Sequence, residues 1–105
     1  MNKHKLRLFF ILFLTAAVFT GLAAGDNNYE KGKALFDKKE YKAAYPFFVK
    51  AAESGNADAM MHLGKMFYNG WGVPHSHEKG HEWHSKAAKL GNKESIEKLK
   101  KMNHH

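Results

Sequence analysis

The sequence contains no cysteine and only two prolines among its 105 residues. Without cysteine the protein forms no disulfide bond, although small exported domains often depend on disulfides for stability. No lipid can be attached through a cysteine thioether either. The fold must therefore be held together by packing alone, within a single domain of modest size.

Arginine is also nearly absent, because Arg7 is its only occurrence. The whole chain has 17 basic and 10 acidic residues, and beyond residue 25 there remain 14 lysines against 10 acidic residues, a net charge of +4. Bidentate recognition of phosphates and bases favours arginine, whereas a modest lysine excess is typical of a solvated surface. The composition therefore predicts no nucleic-acid partner.

The first 25 residues have the three parts of a secretory signal peptide. Three basic residues precede an apolar run from Leu8 to Phe19, and glycine and alanine dominate residues 21–25. A membrane anchor is the alternative, but the run is shorter than the roughly 20 residues that span a bilayer. We predict that residues 1–25 are cleaved near residues 23–25, which exports the protein to the periplasm or the extracellular space without a membrane span.

Two internal repeats follow. The stretch "KAAESGN" at 50–56 returns as "KAAKLGN" at 86–92, and "EKGKALF" at 30–36 aligns with "HLGKMFY" at 62–68. The offset is 36 residues for the first pair of segments and 32 residues for the second pair. The second unit therefore contains four extra residues, which fall in "NGWGVPHS". Repeats of this length are typical of helical solenoids.

Each unit has the pattern of two helices. In the second helix of unit one, apolar residues recur at i, i+3, i+4, i+7 and i+10: Tyr41, Ala44, Tyr45, Phe48 and Ala51. Pro46 removes one backbone hydrogen bond there, but the stripe continues on both sides and predicts a continuing helix. Asn56 and Ser76 are predicted N-caps, and Gly55 and Gly91 are predicted to close the helices that precede them.

After Asn92, the segment 93–102 has Ile96 and Leu99 as its main apolar residues among charged neighbours. One apolar edge and a polar outer face are typical of the helix that caps a solenoid. Residues 103–105, which end in His104 and His105, are predicted to form a disordered tail.

Residues 57–92 resemble a Sel-one-like repeat, a branch of the tetratricopeptide repeat superfamily, and residues 27–56 are closer to a plain tetratricopeptide repeat. The residues that carry the resemblance in the second unit are Ala59, Leu63, Gly64, Phe67, Gly70, Gly72, Val73, Pro74, Trp83, Ala87, Ala88, Gly91 and Asn92. The resemblance implies an all-α fold: a short right-handed solenoid of two antiparallel helix pairs plus a C-terminal capping helix. We expect its core to contain Phe48, Leu63, Phe67 and Trp83.

Relatives of this kind mostly act as adaptors that hold other proteins, and many bacterial ones are exported. The resemblance therefore implies an interaction module whose partner is a protein or peptide. The first helix of each unit should line the concave face, with these residues at non-core positions: Tyr29, Lys33, Phe36, Met61, Lys65, Tyr68 and Asn69. Phe36 and Met61 could instead complete the core. Because two repeats bury little surface, homo-oligomerisation is a further expectation.

His77, His81 and His84 have helical spacing and could converge on Zn²⁺ or Cu²⁺, which gives a periplasmic metal-binding protein as the alternative function. Otherwise His84 packs in the place of a tyrosine while the other two lie at the surface. No HExxH motif, phosphate loop or activated nucleophile occurs in the sequence. We therefore predict neither an enzymatic activity nor a cofactor.

Overall fold

The computed structural model describes residues 27–103, and every regular element in that range is helical. Helix α1 occupies 27–37, and four helices follow: α2 (Tyr41–Glu53), α3 (Ala57–Asn69), α4 (His77–Lys89) and α5 (Lys93–Met102). The chain forms the predicted all-α right-handed solenoid, in which α1/α2 and α3/α4 are antiparallel pairs and α5 packs on α4. The predicted signal peptide, His104 and His105 lie outside the described residues. None of the helices between residues 27 and 103 has the length and apolar character needed to cross a membrane.

Polar side chains begin three of the helices. Asn56 Oδ1 accepts a hydrogen bond from the backbone N–H of Ala59 at 2.8 Å, and Asn92 Oδ1 accepts one from Ser95 at the same distance. Ser76 Oγ caps α4 at 3.2 Å. The predicted caps Asn56 and Ser76 are confirmed, and each contributes about 1 kcal/mol by satisfying an amide that has no partner within the helix.

The two units end in the same turn. The Asn56 N–H donates to Ala51 O at 3.1 Å, and the Asn92 N–H donates to Ala87 O at 3.0 Å. Between these bonds, Gly55 and Gly91 both adopt a φ of 92°, a left-handed conformation that side chains other than glycine disfavour. The identical "GN" pairs of the two repeats therefore fix how each second helix passes to the next unit.

The core lies between α1, α2 and α3. Phe48, Leu63 and Met66 are its largest completely buried apolar residues, and alanines of α2 and α3 fill the space around them. Phe67 is buried as predicted, but Trp83 is only partly so. The Trp83 ring packs against the core on one side and has the Lys86 ammonium 4.6 Å from its centroid. The expectation that Trp83 is a core residue therefore needs correction: it borders the core.

In each helix pair, an aromatic ring of the second helix packs directly against a glycine of the first helix. A methyl group at Gly32 would lie 2.9 Å from Phe48 Cδ1, and one at Gly64 would lie 2.7 Å from His84 Cδ2. Helix α5 repeats α3 at an offset of 36 residues and carries Lys100 where α3 has Gly64. A lysine side chain at this place leaves no room for a ring like that of Phe48 or His84.

Candidate partner-binding groove

The concave groove is a cavity of about 470 Å³ that runs between the first helices of successive units. One wall is aromatic, the floor belongs to α3, and the other wall is the charged face of α5. The groove is lined by Phe36, Tyr41, Lys65, Asn69, Trp71, His84, Glu94, Glu97, Lys98 and Lys101. A shallower depression continues it along α1 and shares Phe36, Lys65 and Glu94 with it.

The groove and its continuation contain most of the residues predicted for the concave face. Six of the seven line one or both cavities: Tyr29, Lys33, Phe36, Met61, Lys65 and Asn69. Met61 is nevertheless buried, so it belongs to the core side of the face. Tyr68 lies elsewhere, where its ring stacks on His77.

The aromatic wall is formed by Phe36, Tyr41 and Trp71. The Trp71 and Tyr41 rings are stacked, with centroids 5.0 Å apart and planes 13° from parallel, and the Phe36 ring meets each of them edge-on at 5.1–6.0 Å. Trp71 remains 36% exposed, although most tryptophans are largely buried. A large aromatic surface is therefore available at the mouth of the groove.

The turn after α3 holds Trp71 in this place. The Trp71 N–H donates to Met66 O at 2.9 Å, and Gly72 follows with a φ of 75°. A methyl group at Gly72 would lie 2.6 Å from the backbone nitrogen of Lys42, so the turn can touch the start of α2 only with glycine at this position. Sequence reasoning treated this turn as purely structural and missed Trp71 and Tyr41. The four extra residues of unit two were the available signal.

Two of the lysines near the groove form ion pairs within the protein. The Lys65 ammonium lies 2.6 Å from Glu94 Oε1, and Lys33 lies 3.1 Å from Asp37 Oδ2. Lys101 lines the groove and makes no ion pair within residues 27–103. Lys98 also lacks an ion pair there, but its ammonium lies 4.2 Å from the centroid of the Tyr68 ring. Lys101 is therefore the cation best placed to meet a negative group on a partner.

His62 lies beneath the groove at the joint between the two units, a position that sequence reasoning did not single out. Its ring stacks on Phe48 with centroids 4.7 Å apart and meets Phe36 edge-on at 4.6 Å. Its Nε2 is 3.4 Å from the Tyr29 hydroxyl, while Nδ1 is buried without a hydrogen-bond partner. Burial lowers the pKa of His62 to about 4, and the positive charge of Lys65 adds to this effect.

The three histidines predicted as metal ligands are not brought together. His84 is 1% exposed, and its Nδ1 is hydrogen-bonded to Ser95 Oγ at 3.0 Å. Burial, followed by the charge of Lys98, lowers the pKa of His84 to about 4. His77 and His81 lie at the surface. Between residues 27 and 103, no group of three or more His, Cys, Asp or Glu side chains could hold a metal ion.

Comparison with known proteins agrees with this architecture. The Sel1 repeat model matches residues 16–56 and 57–92, which together make up most of the chain. The chain belongs to the Sel1 repeat family. The first match includes the unit that the sequence placed closer to a plain tetratricopeptide repeat, and it begins within the predicted signal peptide.

A solved structure is also similar. The crystal structure of a Sel1 repeat protein from Oxalobacter formigenes is 36% identical over 74% of this chain, with a TM-score of 0.68. The present chain spans only 24% of that larger Sel1 repeat protein. No curated protein matches the sequence.

Proposed function

We propose that the protein is an exported, non-catalytic interaction module that binds a segment of a partner protein or a peptide in the concave groove. Membership of the Sel1 repeat family supports a helical-repeat module for protein interaction. The observation that carries the finer proposal is the aromatic wall, in which a tight turn holds a partly exposed Trp71 beside Tyr41 and Phe36.

Exposed tryptophan and tyrosine are the residue types that contribute most to protein interfaces, since they bury a large area and lose little conformational freedom. The stacking of Trp71 on Tyr41 orders both rings before a partner arrives. A preordered surface binds at a lower entropic cost. The aromatic wall therefore suits an apolar or aromatic anchor residue of the partner.

The opposite wall determines which charge accompanies that anchor. Lys65, Lys98 and Lys101 line the groove against Glu94 and Glu97, and the Lys65–Glu94 pair cancels within the protein. Glu97 pairs with Lys100, so Lys98 and Lys101 of α5 are left without an ion pair among residues 27–103. We infer that the partner segment combines an apolar anchor with an acidic residue.

Affinity capture from the native cell envelope, followed by titration of the recovered partner, tests the proposal. Trp71→Ala should weaken binding at least about tenfold, because truncation of an interface tryptophan often costs 2 kcal/mol or more. Lys101→Glu should also weaken binding to an acidic segment. Leu90→Ala is the matched control, since Leu90 is a large exposed apolar residue outside the groove.

Circular dichroism melts should show that the Trp71→Ala and Lys101→Glu variants remain folded. Lys65→Glu is unsuitable for this purpose, because the new carboxylate would face Glu94 and disturb the docking of α5. A partner that binds Trp71→Ala as tightly as the parent protein would show that the concave groove is not the binding surface.

A further inference from the structure

A second cavity, of about 390 Å³, lies where α4 meets α3 and α5, and it shares no lining residue with the concave groove. We call it the histidine pocket. It is lined by Tyr68, His77, Glu78, His81 and Met102. Both histidines are exposed and Met102 is partly exposed, so the pocket is open to a ligand from solvent.

The close approach of α3 and α4 builds this pocket. A methyl group at Gly80 would lie 3.1 Å from the backbone nitrogen of Tyr68 and 3.2 Å from Gly64 O, so glycine allows the two helices to come this near. His77 and His81 lie one helical turn apart on either side of Gly80, a spacing that places two side chains on the same face. Both imidazoles are therefore presented beside Tyr68.

Stacking holds one of the two imidazoles in place. The rings of His77 and Tyr68 are 4.6 Å apart at an interplanar angle of 24°, and the Lys98 ammonium lies 4.2 Å from the centroid of the Tyr68 ring. His77 is thus oriented by its contact with α3, and Lys98 of α5 packs on the Tyr68 ring that it meets. Such contacts reduce the cost of ordering a ligand residue and raise the affinity of a site.

His84 lies on nearly the same face of α4 but near the middle of the helix, where α5 covers it through Ser95. Because α5 runs antiparallel to α4, its last residue, Met102, reaches the end where His77 and His81 remain open. The histidine pocket therefore has a thioether side chain beside its two imidazoles and no third imidazole.

We propose that His77, His81 and Met102 form a binding site for Cu⁺. Imidazole binds several transition metals, whereas a thioether selects soft ions, of which Cu⁺ is the principal biological example. Zinc sites use imidazole, thiolate and carboxylate ligands, and residues 27–103 bring no three of these together. This site is independent of the proposed groove function, because the two surfaces have no residue in common.

Anaerobic titration of the purified protein with Cu⁺, in competition with bicinchoninate, tests the assignment. We expect one Cu⁺ per chain. Met102→Leu and His81→Gln should each lower the Cu⁺ affinity at least about tenfold, because each removes a ligand. Zn²⁺ should bind the parent protein and Met102→Leu equally weakly, since zinc does not use the sulfur.

Three controls use neighbouring residues of the same types. Met60→Leu changes a methionine outside the pocket, and His75→Gln removes an exposed imidazole that touches His77 but does not line the pocket. His104→Ala with His105→Ala removes the two terminal imidazoles. All three variants should bind one Cu⁺ with the parent affinity. The proposal is overturned if no Cu⁺ binds, if Met102→Leu binds as tightly as the parent, or if any control loses as much affinity as His81→Gln.

Discussion

His62 and His84 occupy the two joints of the solenoid. His62 lies between unit one and unit two, where it touches Tyr29, Phe36 and Phe48, and His84 connects unit two to α5 through Ser95. Each imidazole has one buried nitrogen without a hydrogen-bond partner. Protonation would therefore place a charge in the packing contact on which the next unit depends.

The pH dependence of stability follows from the pKa of each histidine. In the folded protein both values are lowered to about 4 from an ordinary value of 6.5, so between these values the unfolded chain binds more protons. The histidine contribution is fully present above about pH 6.5 and is lost as the pH falls towards 4. We expect each histidine to account for about 2 kcal/mol, which allows for partial solvation.

Urea denaturation at several pH values between 7.5 and 4.5 measures this loss. His62→Phe and His84→Phe are the matched variants, because phenylalanine keeps a ring in the contact but cannot bind a proton. Each should flatten the pH profile relative to the parent protein. Identical profiles for the parent and both variants would contradict the prediction and would attribute acid sensitivity to the carboxylates.

At the scale of the helices, local chemistry made most of the fold predictable. Three kinds of local signal each predict one structure, and the structure contains it. They are the repeated "GN" pairs, the capping residues Asn56 and Ser76, and the apolar stripes at helical spacing. Burial was less predictable, because it depends on which helix covers a face. His62 is buried by aromatic rings of α1 and α2, and Trp83 is left partly open.

The candidate site shows the same limit. The predicted concave residues lie along α1 and α3, which the repeat pattern specifies directly. Trp71 reaches the groove only because the turn folds back on the start of α2, a long-range contact that no periodicity reveals. His84 matched the spacing of His77 and His81, but α5 closes over one end of their shared face.

Helix α5 should open more readily than helix α3. Its only fully buried residue is Ser95, whereas α3 has seven buried residues. Native-state hydrogen exchange should therefore show faster amide exchange in α5 than in α3, because a helix with little buried surface opens locally. Ser95→Ala leaves His84 Nδ1 without its partner and should accelerate exchange in α5 while α2 is unaffected. Equal protection of α3 and α5 would contradict this expectation.

For the molecule as a whole, export stays a prediction, because the signal peptide lies outside the described residues. Intact-mass measurement of protein from the producing cell should give a mature chain that begins near residues 24–26. Recovery of the uncleaved chain in the membrane fraction would contradict it. Homo-oligomerisation likewise stays a prediction.

The lysine at position 100 has a consequence for protein engineering. Longer arrays are commonly built by joining copies of a repeat end to end, which requires each first helix to accept a second helix. In α3 the His84 ring packs directly on Gly64, which has no side chain to displace it. Helix α5 has Lys100 at the matching position. In a concatemer of this chain, each copy would therefore fold as a separate short solenoid that does not stack on the next copy. Two changes should join such copies into one continuous solenoid. Lys100→Gly would make room on α5, and an added second helix would place an aromatic residue on that glycine.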